Sequence, residues 1–240
     1  MSWVKQPCGP PCCMLSHSPR EPSTHRRCGF SLGSYASAVA GIVCPPTIAA
    51  MPIDFLQPAD IVAPQLLGCI FTHDGVSIRL TEVEAYLGAE DAAAHTHRGK
   101  TARNAAMFGP GGHMYIYISY GIHRAGNIAC APEGVGQGVL LRAGEVVAGE
   151  DIAYRRRGDV PFTRLAQGPG NLGQALNFQL SDNHAPINGT DFQLMEPSER
   201  PEWVSGPRVG ITKNADAPLR FWIPGDPTVS VRRGRPKTRK

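Results

Sequence analysis

The chain has 240 residues, 24 Lys and Arg against 20 Asp and Glu, and a net charge of +4. That length suits one domain, or one domain with tails, and 27 Gly with 22 Pro announce many turns and much loop. No run of 18 apolar residues occurs, so no membrane-spanning helix is expected, and an odd total of 7 cysteines argues against a secreted disulfide framework.

Charge is unevenly spread. Residues 1–50 carry four cationic side chains and one acidic one, and Arg232–Lys240 carries six cationic ones. The body, 51–231, holds 14 cationic and 19 acidic residues, a net of −5. Binding to a polyanion would therefore need a local basic face, the tail, or both.

Residues 1–50 mix Pro, Ser, Cys and His without helical or strand period, and are read as a disordered N-terminal extension. Cys8, Cys12 and Cys13 sit in C-G-P-P-C-C, but no second pair follows at zinc-ribbon spacing. Arg26-Arg27 with Phe30 loosely resembles a twin-arginine export signal, yet Phe30 stands one place too far along. Met51 followed by P-I-D-F-L opens the expected domain, 51–231, and 232–240 forms a basic C-terminal tail.

Within that domain, Asp60–Gly68 reads as a short helix closed by glycine. Cys69–Thr72 and Val76–Tyr86 read as a hairpin around an Asp74-Gly75 turn. Asp91–Ala94 is read as one helical turn before His95. Met114–Tyr120 and Asn127–Cys130 read as strands joined by a turn over Gly121–Gly126, and Val135–Ala143 as another strand. Gly149–Arg157 reads as a helix capped by Gly158, and Pro169–Leu176 as a second. Val204–Ile211, Leu219–Ile223 and Val229–Val231 read as late strands. Together these predict an α+β domain on a mostly antiparallel sheet, with surrounding helices and a protruding hairpin.

The stretch Thr81–Gln137 is the most informative. If Val76–Tyr86 is extended, Val76, Ile78, Leu80, Glu82, Glu84 and Tyr86 share one face. Carboxylates continuing an apolar face are costly unless paired or functional. A loop with His95, His97, Arg98 and Arg103 follows. Then come Tyr115, Tyr117 and Tyr120, half of the chain's six tyrosines. Alternation puts Tyr115, Tyr117 and Ser119 on one face. Tyr120, beside Gly121, is placed at an exposed hairpin tip.

From the residues alone, Glu84 is either a general base or a structural partner of an arginine, and Arg142 could be that partner. Tyr86 and Tyr117 could equally be core tyrosines. His95-Thr96-His97 lacks a paired third ligand, so it makes a weak metal site. No phosphate-binding or dinucleotide glycine motif is present. No metal and no cofactor are expected.

The pieces E-A-Y-L-G, D-A-A-A-H, R-G-K-T-A-R-N, M-F-G-P-G-G, Y-I-Y-I-S-Y-G and V-L-L-R-A occur in order. They continue with G-P-G-N-L-G-Q-A-L (168–176), R-V-G-I (208–211) and P-L-R-F…G-D-P-T-V-S (218–230). With these pieces the chain resembles the alkylpurine (3-methyladenine) DNA glycosylase family, the type without a helix-hairpin-helix. The similarity covers about Ile53–Val231.

That resemblance implies a base-excision repair enzyme, a monomer acting on double-stranded DNA with damaged purines, cytoplasmic and without membrane contact. It would flip an alkylated or deaminated purine out of the duplex and hydrolyse its N-glycosidic bond. Glu84 matches the family's general base, Arg142 a residue holding the attacking water, and Val209 a second water contact through its carbonyl. Tyr86, His95 and Tyr117 match the residues clasping the base. Asn127 matches a side chain that clashes with the amino group of guanine, and Leu140 lies beside it as a wall. Tyr120 matches the wedge that fills the vacated gap. Glu82 is read as structural. His123, Arg124 and Ala125 depart from the common pattern. No lysine falls in a matched motif, so no Schiff-base lyase step is implied. Two other readings are a non-catalytic damaged-DNA-binding protein on this scaffold and a metal-dependent hydrolase using Glu84, His95 and His97.

Overall fold

The computed structural model describes residues 52–230; the readings made for 1–50 and 232–240 lie outside them. Asp74 and Gly75 both take positive φ, 46° and 79°. That is the twist a two-residue hairpin needs, and it joins β1 (Ile70–His73) to β2 (Val76–Tyr86). The preceding helix, α1 (Ala59–Gln65), ends before Gly68, whose N–H donates to the Leu80 carbonyl at 2.8 Å.

The next hairpin pairs β3 (Met114–Ser119) with β4 (His123–Cys130). The predicted turn over Gly121–Gly126 is too long: the chain reverses at Tyr120–Ile122, and His123–Gly126 already pair with Ile116–Ser119. Gly126 is there for close packing, since a Cβ would lie 2.4 Å from the Phe178 ring. A long β5 (Gln137–Ala148) follows, then α2 (Glu150–Arg157) closed by Gly158 at φ 75°. β6 (Ala166–Gln167) leads into α3 (Pro169–Ala175), then β7 (Phe192–Met195), which the sequence did not signal. Last are β8 (Val204–Gly206) and β9 (Arg220–Trp222).

Two predicted elements dissolve and a third is cut short, because their polar groups serve other partners. Asp91–Ala94 is a turn, with the Asp91 carboxylate accepting from the Ala93 N–H at 3.1 Å. The strand from Val204 stops at Gly206, because Arg208 and the Val209 amide turn inward to Asp91 and Glu84. Val229 and Ser230 form no strand; the Ser230 N–H goes to Glu82 instead.

The strands run in the order β3-β4-β5-β2-β1-β7, every pair antiparallel. β9 joins β2 where β1 leaves it: β1 faces Val76–Arg79 and β9 faces Glu82–Glu84. This is the expected α+β domain, a curled antiparallel sheet with three helices. No helix among the described residues is long and apolar enough to cross a membrane.

The change of partner coincides with a paired irregularity. Register passes from Leu80↔Gly144 to Glu82↔Ala143 to Val83↔Leu141. Thr81 and then Arg142 are left without an opposite residue. An extra residue in a ladder reverses the side-chain phase beyond it. Val76, Ile78 and Leu80 therefore share the core not with Glu82 and Glu84 but with Val83 and Ala85. The expectation of one continuous face for Val76 through Tyr86 is corrected: Glu82, Glu84 and Tyr86 stand on the opposite side of the sheet.

Past the bulge each strand sorts its residues consistently. Met114, Ile116, Ile128, Val139 and Leu141 enter the main core, with Leu172 and Leu176 from the α3 region. Their alternates Tyr115, Tyr117, Asn127, Leu140 and Arg142 face the other way. α3 lies close against β4, since a Cβ on Gly173 would fall 1.9 Å from the Arg124 carbonyl oxygen.

Candidate active site

The second face of the sheet carries a cavity of about 370 Å³. Glu84, Tyr86, His95, Tyr117, Asn127, Leu140, Arg142, Tyr120 and Val209 all line it. These nine residues, assigned to the site by the resemblance, thus reach one place, from β2, β3, β4, β5, two loops and the β3–β4 turn. Ala93, Met107 and Ile211 add an apolar wall that the sequence reading did not assign. Met107 lay within a matched motif, M-F-G-P, which was its one available signal.

Glu84 is fully buried, yet its carboxylate is well supplied with donors. Oε1 accepts the Val209 N–H at 2.8 Å and lies 3.4 Å from Arg142 Nη1. Oε2 accepts the Tyr86 hydroxyl at 3.0 Å. The Val209 contact seen here is made by its amide, where the sequence reading assigned a role to its carbonyl.

Glu82, two residues earlier on the same face, is more tightly held. Its Oε1 accepts from Arg142 Nε at 2.8 Å, Arg220 Nε at 2.6 Å and the Ser230 hydroxyl at 2.9 Å. Its Oε2 takes the Ser230 N–H at 2.6 Å. Removal from water works against the Arg142 charge, but Glu84 and Glu82 outweigh it and raise that guanidinium above its ordinary range.

Aromatic walls close the sides. His95 meets the Tyr117 ring edge-to-face at 4.5 Å between centroids, and Tyr117 stacks on Tyr115 at 5.8 Å. Nδ1 of His95 shares a hydrogen bond with the Tyr115 hydroxyl at 3.2 Å. Burial, helped by the Arg103 charge, lowers the His95 pKa below its usual 6.5, so the imidazole is neutral at pH 7. Burial pushes the Tyr115 phenol up to about 12. The Asn127 amide nitrogen donates to the Tyr115 carbonyl at 3.1 Å, which fixes the plane of that amide in the wall.

Behind Tyr86 sits Arg208, its guanidinium carbon 4.6 Å from the ring centroid. Arg208 Nη2 donates to Asp91 at 2.8 Å, and Nη1 to the Ala85 carbonyl at 2.9 Å. Asp91 and Arg208, outside the predicted site, thus back its aromatic wall.

Tyr120 stands at the tip of the β3–β4 hairpin, 86% exposed, with φ 51°. Ile122 beside it is 76% exposed. A bulky residue held in the left-handed region stores strain, and such strain concentrates at functional sites. The hairpin departs from the cavity rim and protrudes, as expected.

A buried carboxylate flanked by an arginine, under aromatic walls, with an exposed tyrosine at the rim, suits hydrolysis of a bond to a flat heterocycle. Sequence comparison decides the family. Residues 53–227 match the family model described as methylpurine-DNA glycosylase. The chain belongs to that family. A Corynebacterium glutamicum (strain R) protein is 72% identical over 193 residues, covering 80% of this chain and 92% of its own. A Corynebacterium jeikeium (strain K411) protein is 52% identical over 199 residues, 78% and 93% of the two chains. One from Rhodococcus jostii (strain RHA1) is 46% identical over 188 residues, 75% and 84% of the chains. All three carry the name "Putative 3-methyladenine DNA glycosylase". The chain is therefore a DNA glycosylase, and DNA is its substrate.

Among the described residues no cluster of three His, Cys, Asp or Glu side chains has metal-ligand geometry. His97, one of the pair with His95, is exposed and its Nδ1 bonds the Ala89 carbonyl at 2.8 Å. Cys69 and Cys130 are buried free thiols; burial pushes Cys69 up to about 11.

Proposed function

We propose that this glycosylase flips alkylated or deaminated purines, of the 3-methyladenine, 7-methylguanine and hypoxanthine type, from duplex DNA into the cavity and hydrolyses the N-glycosidic bond. The observation carrying this reading is the Glu84 carboxylate, buried under Tyr86, His95 and Tyr117, oriented by two hydrogen-bond donors and with the Arg142 guanidinium 3.4 Å away. Glu84 takes a proton from water as the water oxygen bonds to C1′. The C1′–N bond breaks, and its electron pair leaves with the base. Negative charge on Glu84 also stabilises the cationic sugar that develops. Arg142 and the Val209 carbonyl hold the water beside it. The product is an abasic site, since among the described residues no lysine lines the cavity to form a Schiff base.

Tyr86 and His95 cover the two faces of the purine, and Tyr117 meets its edge. An alkylated purine is cationic, and a cation over an aromatic face gains roughly 0.5–2 kcal/mol over a neutral one. The neutral His95 adds no repulsion to that cation. Asn127 disfavours guanine through its amide. Tyr120 enters the gap left in the stack, acting on the duplex as a monomer.

Glu84→Gln tests the reading because it keeps the shape and removes the proton acceptor. Lesion binding should persist while single-turnover base release falls about 100-fold or more. A near-normal rate would assign the base to another group. Release from duplexes holding each of the damaged purines sets the substrate order.

A further inference from the structure

We propose that the Tyr86 hydroxyl is a positioning group for Glu84, so that one side chain both stacks the damaged base and fixes the carboxylate that activates water. This rests on the reading of Glu84 as the base. Residues i and i+2 of a strand share a face, so the Tyr86 phenol can reach back to Glu84, and it donates to Oε2 at 3.0 Å. The other carboxylate oxygen already has the Val209 amide and Arg142. Among the described residues, Tyr86 supplies the one hydrogen bond on Oε2.

The direction of that bond is set. Burial first, then the Glu84 charge, hold the phenol well above its ordinary pKa. It therefore stays protonated, and a carboxylate can only accept from it. The ring is held too. Arg208 lies over it, anchored to Asp91 and to the Ala85 carbonyl. A fully buried carboxylate oxygen without a donor is costly. Without the phenol, Glu84 would rotate to take more of the Arg142 guanidinium, now 3.4 Å away. That would spend on an ion pair the lone pair needed for the water proton.

Tyr86→Phe separates the two duties, because it keeps the ring and removes the donor. The probe is a duplex with a single hypoxanthine, tested with the full chain. Binding should stay within about 3-fold, which also certifies the fold, while single-turnover release falls about 10- to 100-fold, the scale of one hydrogen bond to a charged group. In a Glu84→Gln background the same substitution should change the residual rate less than about 2-fold, because the group it positions is gone. Equal slowing in both backgrounds, or parallel loss of binding and rate, would overturn the proposal and leave Tyr86 a stacking residue. An unchanged Tyr86→Phe rate beside an inactive Glu84→Gln would overturn it while sparing the general base. A near-normal Glu84→Gln rate would instead remove the general base, and the proposal with it.

Discussion

Arg142 is bonded to Glu82, not to Glu84: its Nε lies 2.8 Å from Glu82 Oε1, whereas its Nη1 stands 3.4 Å from Glu84. Glu82 thus holds the arginine by one edge and leaves the other turned to Glu84, the proposed general base. Glu82 also binds Arg220 and Ser230, so a single buried carboxylate ties β2, β5, β9 and the segment after residue 227 together.

Glu82→Ala strands two buried guanidinium groups. Removing one partner of a buried pair costs about 3–5 kcal/mol, and urea unfolding should show a loss of that size. Excision should also fall, because Arg142 is then free to close on Glu84. A loss under about 1 kcal/mol would mean that the network relaxes onto other partners.

Tyr120 separates activity from stability. It is exposed and strained, so Tyr120→Ala should leave the melting temperature nearly unchanged. In its proposed role as a wedge it would offset the cost of unstacking, a few kcal/mol per flipped base. Its loss should therefore slow excision of hypoxanthine in a paired duplex much more than in single strands. Tyr120→Gly should raise stability by up to about 1 kcal/mol, since glycine takes φ 51° without penalty. Equal slowing on both substrates, with a large stability loss, would place Tyr120 in the core's service instead.

His95 links the site to pH. Burial and Arg103 lower its folded pKa below 6.5, so between the two values the unfolded chain binds more protons. Its contribution is fully present above pH 6.5 and is lost as pH falls through the folded value. His95→Gln should give a flatter plot of unfolding free energy against pH below 6.5. Parallel curves for the two proteins would show that His95 is not depressed.

The cationic segment 232–240 answers a mismatch, since 51–231 carries a net −5. Removing Arg232–Lys240 should flatten the log–log salt dependence of DNA binding by up to about 5 units, at ~0.9 per phosphate contact. An identical slope would mean that these charges touch no phosphate.

The sequence by itself determined whatever depends on near neighbours. Alternation sorted Tyr115 and Tyr117 to one face, and Asp74-Gly75 specified its hairpin through backbone sterics. Tyr120 beside Gly121 marked the exposed tip. The ordered motifs named the residues that now line one cavity. What only the tertiary structure decided lies in partners far apart in the chain. Thr81 and Arg142 are skipped in the ladder where β2 exchanges β1 for β9 on one edge, and that slip moves Glu82, Glu84 and Tyr86 away from the core that Val76, Ile78 and Leu80 enter. A period-two reading carries no information about a change of strand partner, so it predicted one face where there are two. Ser230 capping Glu82 and the Val209 amide on Glu84 span 148 and 125 residues. Such contacts form only when the closed fold brings a donor to a carboxylate that has lost its water, and desolvation, not local propensity, selects them.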